Sequence, residues 1–384
     1  MRLKVIKAVA IVALVASTAS LYLKYEHLGL NNAKFKLEVS SRHLNQVSKS
    51  PIFESQIIPQ PSYLPAAHSS SFTVMPNGDL LAFWFAGTRE GSPDVKIWSS
   101  TYHLGHWSMA KAILDPSMIA KANHRYVIKV GNPVIYRAEN GDLHLFVVSV
   151  SVGGWSGSAL NHLTSHDDGK VWSKPERIVI SPFFNLSTLV RTSAVSLSDG
   201  GFYLPVYLEL GRKYPELLRF NADGVFVEQT RITAKNRMIQ PSVMPISSDS
   251  ALVYFRNSST NLEERELFVA KTTDAGRTWS NPQATNFTNP DSSLEVVNLY
   301  DGRYLMVYNQ ENRGNLDLAI SVNGVYWRKI YELENTFGDE FSYPSVHVNQ
   351  SYIDILYTNN RKTIKHVRFN REWLDEVVKH ATVH

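Results

Sequence analysis

Six residues stand at matching places ahead of six tight turns, and several have side chains that handle acidic ligands. His68, Asn132, Arg191, Gln240 and Ser293 each precede a turn by nine or ten residues, and Tyr343 precedes a less regular sixth turn by a shorter interval. The stretches beyond the turns return toward the same end with Thr88-Arg89-Glu90, Glu209 and Arg212, Arg256, Asn309 to Arg313, and Asn359 to Arg361. Several arginines at one end suit a carboxylate, because guanidinium makes paired, charged hydrogen bonds with that group. A tyrosine among them is a candidate nucleophile or general acid/base, although its unperturbed pKa of about 10 calls for a helping neighbour. A single polar residue at a strand end is ordinarily just solvated; six in register point to a shared mouth.

The elements that must position these residues are short strands. From residue 51 onward the chain alternates Val, Tyr, Phe and Leu with polar residues between turn signals, and helical spacing is scarce before 371–380. Tight turns centred on 78, 141, 200, 249, 302 and 350 recur every 48 to 63 residues. Their Asn-Gly and Asp-Gly pairs tolerate the positive φ that hairpin turns require. A second unit lies between them: Ser165-x-Asp167-x-Gly169-x-x-Trp172 and Thr272-x-Asp274-x-Gly276-x-x-Trp279, both continuing as Trp-Ser-x-Pro. Degenerate copies occupy 221–226 and 321–327. The motif reads as a hairpin device, with the Asp and Ser/Thr oxygens bonding turn amides and the Trp packing between strands. A calcium loop would need more oxygen ligands than it offers.

Two interleaved series of one period predict six copies of a small antiparallel sheet stacked around an axis. That is an all-β, six-bladed β-propeller over residues 51–384, with a short C-terminal helix at 371–380. The segment 53–58 is expected to supply the outer strand of blade six and so close the ring.

These residues resemble the sialidase (neuraminidase) superfamily and its BNR/Asp-box repeat proteins. The resemblance rests on the two full S/T-x-D-x-G-x-x-W motifs and on His68–Ser100, which is similar to the family's opening blade through Pro76-Asn77-Gly78-Asp79-Leu80-Leu81-Ala82-Phe83. It runs through nearly all of the chain after residue 60. It implies an exo-acting glycosidase that removes a terminal acidic sugar. Arg256 resembles the second arginine of the family's carboxylate-binding triad, and Arg313, in Arg313-Gly314-Asn315-Leu316, resembles the third. Tyr343, in Phe341-Ser342-Tyr343-Pro344, resembles the tyrosine nucleophile, and Glu90 or Asp94 falls where the family keeps its acid/base carboxylate. His68 or Arg191 would assist in holding the carboxylate. Two positions depart from the pattern. His68-Ser69-Ser70 replaces the family's R-I-P, and Gln240-Pro241 replaces the glutamate that takes the tyrosine's proton. Glutamine cannot accept a proton as glutamate does.

Three readings follow: a sialidase-like hydrolase, a uronate-directed polysaccharide lyase using a His68/Tyr343 pair, and a glycan-binding propeller without catalysis. Composition narrows the field further. The 384 residues contain no cysteine, which excludes disulfide scaffolds and thiol chemistry. No phosphate-binding loop or histidine-rich metal motif is present, so no cofactor or metal is expected. The net charge of +4 is carried by residues 1–50, leaving the body near neutral, which argues against nucleic acid as a partner. Arg2, Lys4 and Lys7 precede an apolar run from Ala8 to Leu23, so 1–23 reads as a signal peptide or membrane anchor and 24–50 as a linker. The expected protein is an exported monomer, periplasmic or anchored to the inner membrane facing the periplasm.

Overall fold

A computed structural model describes Leu14 and residues 33–37, 50–181, 185, 187–259, 261–349 and 351–381. The expected signal or anchor segment, apart from Leu14, lies outside the described residues. Among the described residues no helix is long and apolar enough to cross a membrane.

Six antiparallel sheets, each of four or five strands, form a ring of blades among the described residues. The innermost strands are Ala66–Val74, Lys129–Arg137, the pair Leu189–Val190 and Val195–Ser196, then Met238–Pro245, Glu295–Asn298 and Phe341–Val348. Second strands such as Leu80–Gly87 and Leu143–Val150 are buried at every position, because both of their faces meet a neighbouring blade. The outer strands, such as Arg328–Asn335, are half exposed. Six apolar clusters fill the six joints between blades. No blade hides both faces alone, so the stability of each depends on its neighbours.

Strand Phe53–Ile57 pairs with Thr363–Asn370, Phe53 opposite Phe369, and closes the ring with the propeller's first strand as expected. The C-terminal helix α2, Arg371–His380, also falls where expected. Asn370 caps it by accepting from the Trp373 amide at 3.0 Å, and Leu374 is buried against blades five and six. A helix absent from the sequence reading, α1 (Pro116–Asn123), connects blades one and two and is capped by Asp115.

One stretch differs from the linker reading. Residues 33–37 dock on the joint between blades three and four. The Phe35 amide donates to the Ser248 carbonyl at 2.7 Å, and its ring is buried beside Tyr203. Lys36 pairs with Glu139 at 2.5 Å. A single aromatic side chain in a polar stretch has no period to reveal it; the cleft that receives it is made by residues 160 or more positions away.

Candidate active site

The mouth is built by breaking the inner strands. In blades one, two, four and six the ladder slips between His68 and Ser71, Gly131 and Val134, Ile239 and Ser242, and Ser342 and Ser345. Each bulge holds one non-glycine residue in the left-handed region: Ser69, Asn132, Gln240 and Tyr343, with φ of 58°, 43°, 49° and 58°. Three of the four are followed by proline, which has no amide hydrogen to leave unpaired where the ladder is open. Bulges of this kind re-aim a side chain at some cost in backbone strain. Blade three reaches the same result by splitting its inner strand around Arg191.

Tyr343 is the centre of this arrangement. Its phenol oxygen accepts from Arg256 Nη1 at 2.9 Å, and Gln240 Nε2 lies 3.4 Å away. The guanidinium carbons of Arg256 and Arg313 are 6.0 and 5.9 Å from its ring centre. His68 packs against the same ring, with 4.2 Å between centroids. Among the described residues no carboxylate is bonded to the phenol oxygen. Gln240 instead points its amide at two phenols, the second being Tyr207 at 3.2 Å. Burial, with the charges of Tyr343 and Glu209 adding, pushes the Tyr207 phenol up.

His68 is only 3% exposed, and neither ring nitrogen has a partner among the described residues. Burial first, then the charges of Arg361, Arg313, Arg191 and Arg256, hold its imidazole well below the ordinary histidine value. The residue in the place of a cation is therefore an uncharged ring among cations. Ser293 is fully buried with an unpartnered hydroxyl, and Asn132 is buried on the blade-two bulge.

The two candidate acids separate. Asp94 turns back into its own loop and accepts from the amide and hydroxyl of Thr88, both at 2.8 Å. Those bonds hold its carboxyl below the usual range against the opposing effect of burial, and they commit it to shaping the loop. Glu90 instead faces the mouth and pairs with Arg361 Nη1 at 2.5 Å. Arg191 also departs from its expected place as a ligand contact. It is 1% exposed and donates to the carbonyls of Ser70 at 3.3 Å and Pro344 at 2.7 Å. Lying 5.0 Å from the Tyr343 ring, it braces two of the bulges. Glu295, buried and raised by that burial, balances its charge deeper in the channel.

Three mouth residues were given no role of their own from the sequence. Glu340 accepts from Arg313 Nη1 at 3.2 Å, Arg361 Nε at 2.7 Å and the Ser342 hydroxyl at 2.8 Å. Asp291 holds Arg256 Nε at 2.7 Å through its side chain and Arg313 Nη2 at 2.6 Å through its carbonyl. Arg361 stood at the end of a named strand without a role. Charged residues beside strand ends are the available signal, but nothing local marks which of them meet. Among the described residues no group of three His, Asp or Glu side chains is arranged to hold a metal ion.

The comparisons with known proteins bear on the family and the fold. The family model of the BNR repeat-like domain matches residues 78–355. A sialidase of Bacteroides fragilis (strain YCH46) is 24% identical over 251 residues, which is 59% of this chain. That match spans 45% of the relative, so the chain corresponds to about half of it. Among solved structures, Hadza microbial sialidase Hz136 superposes with a TM-score of 0.66 at 16% identity, covering 80% of this chain and 66% of that one. The NanB sialidase of Streptococcus pneumoniae gives 0.65 at 10% identity (82% and 70% covered), and Trypanosoma rangeli sialidase 0.61 at 15% (86% and 60%). At those identities the likeness is one of fold.

Proposed function

The chain belongs to the BNR repeat-like domain family, as a sialidase-like six-bladed β-propeller, and on that premise we propose that it is an exported glycoside hydrolase acting on a terminal acidic sugar. The observation that carries this reading is Tyr343 held at the mouth with Arg256 on its phenol oxygen and Arg313 beside its ring. Arg256 and Arg313 would bind the sugar's carboxylate by charged hydrogen bonds. That places the anomeric carbon over Tyr343. A tyrosine suits this position because a carboxylate nucleophile would repel the substrate's own charge. Tyr343 keeps its proton and stabilises the oxocarbenium-like centre through its phenol oxygen as the glycosidic bond breaks; protonated Glu90 gives its proton to the leaving oxygen and takes one back from the water that adds to the anomeric carbon. Gln240 orients the phenol and does not accept its proton. Export, with attachment through the N-terminal segment or release into the periplasm, is part of the same proposal.

A second reading is favoured by one observation, the uncharged and unpartnered imidazole of His68 against the Tyr343 ring. In a uronate lyase His68 would take the proton beside the carboxylate, and Tyr343 would return one to the leaving oxygen. Product analysis separates the two. Incubation of the full chain with sialylated and uronate-containing glycans should release a saturated acidic monosaccharide. A product absorbing in the near ultraviolet would instead establish elimination. Binding without either product would leave a lectin-like propeller.

A further inference from the structure

The absence of an arginine at position 68 has a counterpart in the neighbouring blade, and the inference drawn from it rests on the acidic-sugar reading above. We propose that Arg361, carried by the turn after the second strand of blade six, is a carboxylate-binding residue that supplies the guanidinium missing from the inner strand of blade one. The positive charge has changed blades, and His68 is left as a neutral group beneath it.

The turn is fixed against position 68. Asn360 and Arg361 both take the left-handed region, with φ of 55° and 53°, and the Lys362 amide closes the turn on the Asn359 carbonyl at 3.0 Å. The amide of Ala67, the residue before His68, donates to the Arg361 carbonyl at 2.9 Å. That bond clips the blade-six turn to the blade-one strand. Of the four arginines whose charges bear on the His68 imidazole, Arg361 acts most strongly.

The side chain joins a continuous row. Glu340 holds Arg361 Nε with one oxygen and Arg313 Nη1 with the other, so those two guanidinium groups lie side by side. Asp291 then ties Arg313 to Arg256, and Arg256 ends the row on Tyr343. Each guanidinium is anchored at part of its edge only. Arg361 Nη2, Arg256 Nη2 and Arg313 Nε have no protein acceptor among the described residues. Three pre-oriented guanidinium groups with donors to spare are what recognition of a planar carboxylate needs. The two unpartnered nitrogens of His68 add a buried polar group awaiting a ligand atom at the same place.

The test is titration calorimetry on the full chain with N-acetylneuraminate and glucuronate, each beside its methyl ester. Arg361→Gln should weaken binding of the preferred free acid by about tenfold or more, the scale of one charged hydrogen bond, and change binding of the ester less than about twofold. Arg361→Lys, which keeps the charge and loses the fork, should fall between. The double variant His68→Arg/Arg361→Gln should recover part of the affinity for the acid. Equal losses for acid and ester would show a merely structural role and overturn the inference. So would acid binding by Arg361→Gln or Arg361→Lys at unaltered strength. If the unaltered chain binds neither acid, the reading of the mouth falls and this inference with it.

Discussion

The Asp-box turns and the mouth are the two places where this chain concentrates polar side chains, and they are built in opposite ways. In the turn at 272–279, Thr272 Oγ1 accepts from the Gly276 amide at 3.0 Å, Asp274 from the Thr278 amide at 2.9 Å, and Trp279 Nε1 donates to the Gly276 carbonyl at 3.1 Å. The turn at 165–172 repeats these contacts within 0.1 Å: 3.0, 2.9 and 3.1 Å. Every partner is within four residues, and Gly169 and Gly276 take the positive φ the turn needs. At the mouth the bonds made by Arg191, Arg256, Arg313 and Arg361 span 16 to 271 residues, and neither ring nitrogen of His68 has a hydrogen-bond partner among the described residues. Local, closed bonding is a device for stability. Long-range and incompletely bonded groups are what a site looks like before its ligand arrives.

That contrast can be broken by substitution. Tyr343→Phe should lower turnover of an acidic glycoside at least about a thousandfold with little change in melting temperature; turnover near that of the unaltered chain would remove the mouth's claim to chemistry. Glu90→Gln should cost about a hundredfold or more in kcat, whereas Asp94→Asn should cost about 1 kcal/mol of stability and little kcat. Equal effects on kcat would contradict the separation of the two carboxylates. Glu340→Gln, which loosens Arg313 and Arg361 together, should raise the Kd for an acidic sugar about tenfold by calorimetry. In the other region, Asp274→Ala should lower stability by about 1–2 kcal/mol in urea titration and leave kcat per folded molecule unchanged.

Acidification gives the mildest probe. His144 and His162, bonded at 2.9 Å inside blade two, are pushed down to about 4 and about 3, chiefly by burial, while the unfolded chain protonates at about 6.5. The unfolded state therefore binds more protons across that interval, and stability falls as pH drops from about 6.5 toward 4. His68 acts in the same direction. His162→Phe should flatten that slope in urea midpoints measured at successive pH values without altering kcat. An unchanged slope would place the acid sensitivity elsewhere.

The sequence made the ring legible because its signals are local and repeated. Asn-Gly and Asp-Gly turns and two full Asp boxes give a period, and the period gives six blades. The mouth was legible only as far as its register, which returned His68, Gln240 and Tyr343 at the bulges. The remainder depends on contacts across blades. Strand phase does not show that Arg191 is buried as a brace, because the ladder breaks at the very residue in question. Nor does a loop carboxylate reveal that Asp94 bonds to Thr88 while Glu90 reaches Arg361. Glu340 sits three residues before Tyr343, yet its significance lies in two arginines 21 and 27 positions away.

The most direct measurement is a crystal structure of the full chain soaked with N-acetylneuraminate or glucuronate. The sugar's carboxylate should lie on Arg256 and Arg313, with the Tyr343 phenol oxygen beneath the anomeric carbon. A sugar bound away from Tyr343, or a mouth still empty at saturating concentration, would contradict it.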